Sequence, residues 1–370
     1  MDFGLSSEQQ QLKDSAREFL SGECSTAQVR KAMASEDGRI PGLDAQIAKL
    51  GWNGLIVPEK FGGLGLSMLD MAVLLEEQGY AAMPGPFLFS SVLAASALAI
   101  GGSDELNAKW LGALAEGKAT GTVAIVEKSD SIIPADFETV ARKDGGAFRI
   151  RGVKMFVPYA NLANFIIVAA RAGDGAGDAG LFAVETGSPG VRVKMLKNLD
   201  LTRRVAEVEF ADAPASALGG GAGLYARLLD IGAVAVAADS LGGSERALDM
   251  AVEYSKVREQ FGKPIGSFQA LKHAAAEIVA DLEPARALLW YAAHAQNSAL
   301  DEAPRMAAMA KARLSDVYSR TTDRAVLMHG GIGFTWEHDI HLWFKRSRFN
   351  ESYFGSPPYH RERVAQLGGY

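Results

Sequence analysis

Apolar residues recur at helical spacing near the start of the chain. Leu12, Ala16, Phe19 and Leu20 share one face, and Ser6-Ser7-Glu8 precedes them as a capping sequence. A helix is therefore expected from Gln9 to about Leu20. The same period predicts helices at Leu43–Leu50, ended by Gly51, at Met68–Gln78, capped by Ser67, and at Leu88–Ile100 and Glu105–Glu116. Pro58, Gly62, Gly63 and Gly65 interrupt with an irregular loop, and Pro84-Gly85-Pro86 breaks the chain. Residues 1–117 read as an all-helical domain.

After Gly117 the period changes. Thr120–Val126, Thr139–Arg142, Ala147–Ile150, Phe165–Ala170, Gly180–Val184, Val191–Lys194 and Ala206–Phe210 are short β-branched or alternating runs, parted by Gly, Asp, Asn and Pro clusters. They predict a compact, barrel-like β domain over residues 118–217. The run Gly219–Gly223 marks the next boundary. From Leu224 the helical period returns in Leu224–Lys256, rich in Ala and Gly and suited to close packing, then in Phe268–Asn297, Pro304–His329 and Asp339–Arg348. These long helices predict a bundle over residues 218–370. The expected fold class is α+β: helical domain, β-barrel domain, helix bundle.

Composition narrows the function. With 370 residues, 48% apolar and 22% charged, the chain is ordinary for a globular protein of two to three domains. A net charge of −6 leaves no dominating basic patch, so nucleic acid is not an expected partner. Cys24 alone cannot form an internal disulfide and fits a reducing cytoplasm. Met1 leads into Asp2 and a polar, capped segment rather than a signal peptide. The apolar stretches Val92–Ile100 and Ile231–Ala238 are too short or too charged to span a bilayer.

The candidate chemistry lies at Tyr254–Ala275, YSKVREQFGKPIGSFQALKHAA. Arg258 is a permanent cation whose planar fork of donors suits a phosphate or diphosphate. Phe261 beside Gly262 offers an aromatic face and close backbone approach. Ser267 is a candidate N-cap for the next helix, with Gln269 in its first turn. A capped helix-turn-helix with a solvated Arg reads equally well from spacing alone.

Three motifs in order carry a resemblance. GWNGLIVPEKFGGLGLSMLD (Gly51–Asp70), YSKVREQFGKPIGSFQALKH and HGGIGFTWEHDIHLWFKR (His329–Arg346) resemble motifs of the acyl-CoA dehydrogenase family. These flavoenzymes desaturate acyl-CoA thioesters and usually pass electrons to an electron-transfer flavoprotein. The resemblance implies FAD as cofactor. It implies that Arg258, Phe261 and Gln269 lie along the dinucleotide of a neighbouring subunit. Gly330 and Gly331 would let backbone approach its adenosine part. Leu327 stands where the family usually has Gln, and His329 takes an aliphatic place.

The other half of the flavin site departs from the family. The Thr-Glu-Pro-Gly-Ala-Gly-Ser-Asp segment is here Val126-Glu127-Lys128-Ser129-Asp130. The Trp-Ile-Thr segment is Phe156-Val157-Pro158, and proline offers neither hydroxyl nor N–H. Desaturation needs a carboxylate over the α-carbon while the flavin takes a hydride from the β-carbon. The customary Glu positions hold Phe354 and Gly232, and the Arg usual after the latter is Ala233. Asp239, seven residues after Gly232, and Glu351 are the candidate replacements. For each the structural reading weighs more: Asp239 as an interhelix pair, Glu351 as a helix-end pair with Arg348. Asp230 reads as structural, His338 and His341 as surface or interhelix contacts rather than metal ligands, and Trp336 and Trp343 as core.

The resemblance leaves three readings. The chain is the partner subunit of a heteromeric acyl-CoA dehydrogenase, completing FAD sites whose ring pocket and base belong to a second subunit. The resemblance implies that heteromeric members act on bulky acyl-CoA such as steroid side chains, or on dicarboxylic acids. Or it is a self-sufficient homotetramer using Asp239 or Glu351. Or it is a flavin-free scaffold of the same fold.

Overall fold

The computed structural model describes residues 4–173 and 178–370. Met1 and Asp2, which bear on the amino-terminal reading, lie outside them.

Helix α1 (Ser7–Glu23) starts on the expected capping box: Gln9 N donates to Ser6 Oγ at 3.2 Å and Ser6 N to Gln9 Oε1 at 3.0 Å. Then follow α2 (Thr26–Ala34), α3 (Leu43–Lys49) and α4 (Met68–Tyr80). Leu88–Ala94, expected as ordinary α-helix, winds as a π-helix before α5 (Ala95–Gly101) and α6 (Asp104–Ala115). All seven residues of that turn are buried, so packing rather than local propensity selects its winding. Ser90 Oγ there accepts from Gly121 N at 3.0 Å.

Seven strands follow: β1 (Gly121–Ala124), β2 (Val140–Asp144), β3 (Ala147–Pro158), β4 (Phe165–Arg171), β5 (Ala179–Glu185), β6 (Val191–Leu196) and β7 (Val205–Ala217). β3 and β7 run well past the expected Ala147–Ile150 and Ala206–Phe210 because they pair antiparallel along most of their lengths. The pairings β4–β2, β2–β3, β3–β7, β7–β5 and β5–β4 close a ring, with β1 added at β4 and β6 at β7. Closure leaves fewer open edges and surrounds a core that includes Ile150, Val168, Phe182, Val208 and Phe210.

Next come α7 (Gly221–Val257), a hairpin of two-residue strands β8 (Glu259–Gln260) and β9 (Lys263–Pro264), α8 (Gln269–Ser298), α9 (Ala303–His329), α10 (Ile340–Ser352) and α11 (Pro357–Leu367). By internal contacts the chain divides into two compact units. One is Met1–Arg30, Met68–Met83 and Ala233–Tyr370; the other is Lys31–Ser67 and Pro84–Gly232.

The second unit holds the barrel and the helices about it. Arg204 ties them, donating to the carbonyls of Met33 at 2.9 Å and Ser35 at 2.6 Å beyond α2. The first unit is helical. Buried Glu76 of α4 accepts from Lys13 of α1 at 2.6 Å and from Arg286 of α8. α4 and α7 cross at glycine: a Cβ on Gly79 would lie 2.0 Å from the Asp239 carbonyl oxygen, and one on Gly242 1.7 Å from that of Glu76. α7 is long and apolar enough to cross a membrane, but 72% of its most apolar window is buried within the protein.

Candidate functional site

The Arg258 turn is a tight hairpin. Arg258 N donates to the Tyr254 carbonyl at 2.9 Å and Ile265 N to that of Arg258 at 2.8 Å. Phe261 (φ 55°) and Gly262 (φ 77°) form its tip. A left-handed Phe is a costly conformation, and this one is 91% exposed, its ring edge-on to Phe268 at 6.0 Å. Arg258 and Gln269 are exposed, and Arg258 has no ion-pair partner among the described residues. Ser267 does not cap α8: Ile265–Ser267 forms a 3-10 turn, Phe268 takes the cap position, and no side chain caps it.

α9 ends at His329, and Gly330 (φ 64°) turns the chain into a 3-10 segment, Gly330–Phe334. A Cβ on Gly330 or Gly331 would meet nothing within 4 Å. The backbone there is bare toward solvent. Leu327 is 68% and Phe334 73% exposed, and Trp336, expected as core, is 56% exposed with Lys345 Nζ 3.7 Å from its ring centroid. Trp343 is core, its indole N–H donating to the Gly79 carbonyl at 3.1 Å.

These two turns meet through rings. Tyr254, one helical turn before Arg258, lies 4.7 Å from the ring of His329, and His329 lies 4.2 Å from that of His338. His341 is buried, with Nε2 3.4 Å from Arg30 Nη2.

The candidate acids are engaged. Asp239 is buried in α7; Oδ1 pairs with Arg346 Nη1 at 3.4 Å and Oδ2 accepts from Asn350 Nδ2 at 2.7 Å. Arg346, also fully buried, donates to the Met83 carbonyl at 2.9 Å. Glu351 pairs with Arg348 at 3.4 Å, one turn along α10. Asp230 and Gly232 are buried in α7.

Phe354 is buried at φ 60° and is held from both sides. His360 Nε2 donates to its carbonyl at 2.8 Å. Lys311 Nζ donates to the flanking carbonyls of Glu351 at 3.1 Å and Gly355 at 2.9 Å, and contacts Ser315 Oγ at 3.0 Å. Burial pushes the Lys311 ammonium down to about 7 and the His360 imidazolium down to about 3.

In the second unit, Val126 is buried and its carbonyl accepts from Met155 N at 2.8 Å. Phe156 (φ 52°) sits at a register shift between Lys154 and Val157 and is 43% exposed. The Pro158 carbonyl accepts from Thr122 Oγ1 at 2.5 Å. Tyr159 is fully buried, its hydroxyl accepting from Gly85 N at 2.8 Å and donating to the Thr202 carbonyl at 2.9 Å. Lys154 is buried against Glu127 at 2.7 Å; burial pushes it down to about 8, against the pull of the carboxylate.

Family models match the chain throughout: acyl-CoA dehydrogenase N-terminal domain at residues 6–118, middle domain at 122–213 and C-terminal domain at 219–368. The chain belongs to the acyl-CoA dehydrogenase family. It is 32% identical over 371 residues to acyl-CoA dehydrogenase IpdE2 of Mycolicibacterium smegmatis, covering 98% of each. Among solved structures it is similar to a variant of the Tcur3481–Tcur3483 steroid ACAD (30% identity, TM-score 0.91, 98% of each chain). It is also similar to the ChsE4–ChsE5 complex of Mycobacterium tuberculosis (28% identity, TM-score 0.92, 100% of this chain and 99% of that one). The family's members are oxidoreductases acting on acyl-CoA, and they bind FAD.

Whether this acyl-CoA dehydrogenase chain fits FAD has two answers. An uncompensated guanidinium, an exposed aromatic and bare backbone at Gly330–Gly331 fit a dinucleotide's diphosphate and adenosine. At the positions that the resemblance gives to the flavin ring, Val126 and Pro158 offer no hydroxyl, and Pro158 has no N–H. Sequence reasoning missed the Lys311 and His360 clasp on the Phe354 loop. Its one signal was a lysine among the small apolar residues of Pro304–His329.

Proposed function

We propose that this chain is the base-lacking subunit of a heteromeric, FAD-linked acyl-CoA dehydrogenase. It presents Arg258, Phe261, Gln269, Leu327, Gly330 and Gly331 to the diphosphate and adenosine end of FAD. The ring pocket and the carboxylate that removes the α-proton belong to a second acyl-CoA dehydrogenase subunit. When bound, the FAD supplies hydride acceptance; this chain supplies charge and position at the other end. The substrate class is a bulky acyl-CoA thioester such as a steroid side chain, the acceptor an electron-transfer flavoprotein, and the setting the cytoplasm.

One observation carries the reading: the cofactor-facing turns are exposed and uncompensated, while every candidate base position is filled or engaged. Phe354 and Gly232 cannot take a proton. Asp239 and Glu351 are both ion-paired. These pairs weigh against a self-sufficient enzyme. The test is to co-express the chain with a homologous subunit that carries the Glu, and to compare Arg258→Ala. Loss of charge-assisted hydrogen bonds should weaken FAD retention by about 1.5–3 kcal/mol. Unchanged FAD content would remove Arg258 from the site.

A further inference from the structure

The Tyr254–His329–His338 ring cluster has no part in the function proposed above. It joins three segments of the helical unit: the last turn of α7, the end of α9 and the residues before α10. Tyr254 accepts the backbone N–H of Arg258 through its carbonyl, and His329 is the residue before Gly330. One set of tilted and edge-on ring contacts therefore links the positions of both cofactor-facing turns.

We propose that this cluster is a positioning device for the diphosphate-facing turns, and that it takes up a proton when the diphosphate of FAD binds there, so that FAD is held more tightly as pH falls. The inference rests on reading Arg258–Gly331 as half of a cofactor site.

The geometry of His329 is that of a ring awaiting a second proton. Its Nδ1–H donates to the Ala325 carbonyl at 2.6 Å. Nε2 is buried without a hydrogen-bond partner, and the Met250 backbone, like that of Ala325, favours the charged ring. Two carbonyls against one imidazole suit the cation, which alone donates from both nitrogens. Burial opposes the charge on His329 in the free chain, and burial and the adjacent His329 oppose it on His338. His338 Nδ1 accepts from Ile340 N at 3.1 Å, so its neutral ring carries the proton on Nε2 and takes a second only by giving up that bond.

The other charges facing the cluster are largely balanced. Arg30 pairs with Asp339 at 2.6 Å, with its Nη2 3.3 Å from the His338 carbonyl oxygen. His341, Glu337 and Lys345 lie on the α10 side, and Arg258 is one turn from Tyr254. A bound diphosphate is the uncompensated negative charge that would tip His329 or His338 toward imidazolium. By reciprocity the imidazolium then strengthens the diphosphate contact.

FAD is the right probe because its diphosphate carries no proton to lose near neutral pH. The assembled complex, co-expressed with the homologous subunit, is diluted, and FAD release is followed by the rise in flavin fluorescence. One charge acting over several ångströms at a partly screened surface predicts release about three- to tenfold slower at about pH 5.5 than at about pH 8. His329→Phe keeps a ring in the cluster and should lose the profile, releasing FAD at the same rate at both pH values. His338→Phe is the second variant, should the first fail to assemble. A flat wild-type profile, with Arg258→Ala still weakening retention, overturns the proton linkage alone. A full profile surviving in both Phe variants overturns it too. If Arg258→Ala leaves retention unchanged, the half-site reading fails and takes this inference with it.

Discussion

Replacing Asp239 separates a structural acid from a catalytic one. Its side chain is 2% exposed and lies against a fully buried guanidinium, with Asn350 on its second oxygen. Asp239→Ala removes the carboxylate and leaves the Arg346 guanidinium charged in the core without its ion-pair partner. Breaking a buried pair from one side costs about 3–5 kcal/mol. At about 2–4 °C per kcal/mol for a large domain, melting should fall by roughly 6–20 °C. Removing both charges together, Asp239→Leu with Arg346→Met, should recover most of that loss, since a packed apolar pair is often as stable as the ion pair. The coupling should then exceed about 2 kcal/mol in a double-mutant cycle. The assay is thermal and urea unfolding of each variant, alongside acceptor reduction by the assembled protein with an acyl-CoA. If Asp239→Asn kept wild-type melting and abolished turnover, Asp239 would be the base and the reasoning here would be refuted.

Three further expectations follow from buried contacts. Lys311 is held near 7 in the native protein against an ordinary 10.5, so between those values the unfolded chain binds the extra proton and stability rises with pH; Lys311→Met should flatten that rise, read as urea midpoints at about pH 7 and pH 9. Gly242→Ala drives a Cβ into the Glu76 carbonyl, which backbone cannot yield cheaply, and should cost at least about 1–3 kcal/mol by chemical denaturation. Tyr159→Phe removes the hydroxyl that accepts from buried Gly85 N and should cost about 1–3 kcal/mol; an unchanged melting temperature would refute it.

Long helices were legible because period and punctuation agree there. Pro304–His329 was expected and Ala303–His329 is found, bounded by proline and by Gly330. α2 and α11 escaped notice: α2 follows α1 after only a short break, and α11 is mostly polar. The π-helical turn at Leu88–Ala94 carries no local signature, since packing decides it. Barrel closure was expected only in outline, because β-strand pairing over distance leaves no mark on the period of either strand. The exposed turn at Arg258 and the glycines at 330 and 331 could be read by motif. The Tyr254–His329–His338 cluster could not, since it joins residues 75 and 84 positions apart along the chain. Asp239 was visible as a polar residue in an apolar helix, but its partner Arg346 lies on α10, and only packing brings them together.

The central claim is that this chain completes a flavin site it does not possess alone. Purifying the chain by itself and together with a Glu-bearing homologous subunit, and measuring flavin absorbance per chain, tests it most directly. The account predicts a colourless protein alone, and a yellow complex of unlike chains that reduces an electron acceptor with an acyl-CoA. A yellow homo-oligomer, active without any partner, would contradict it.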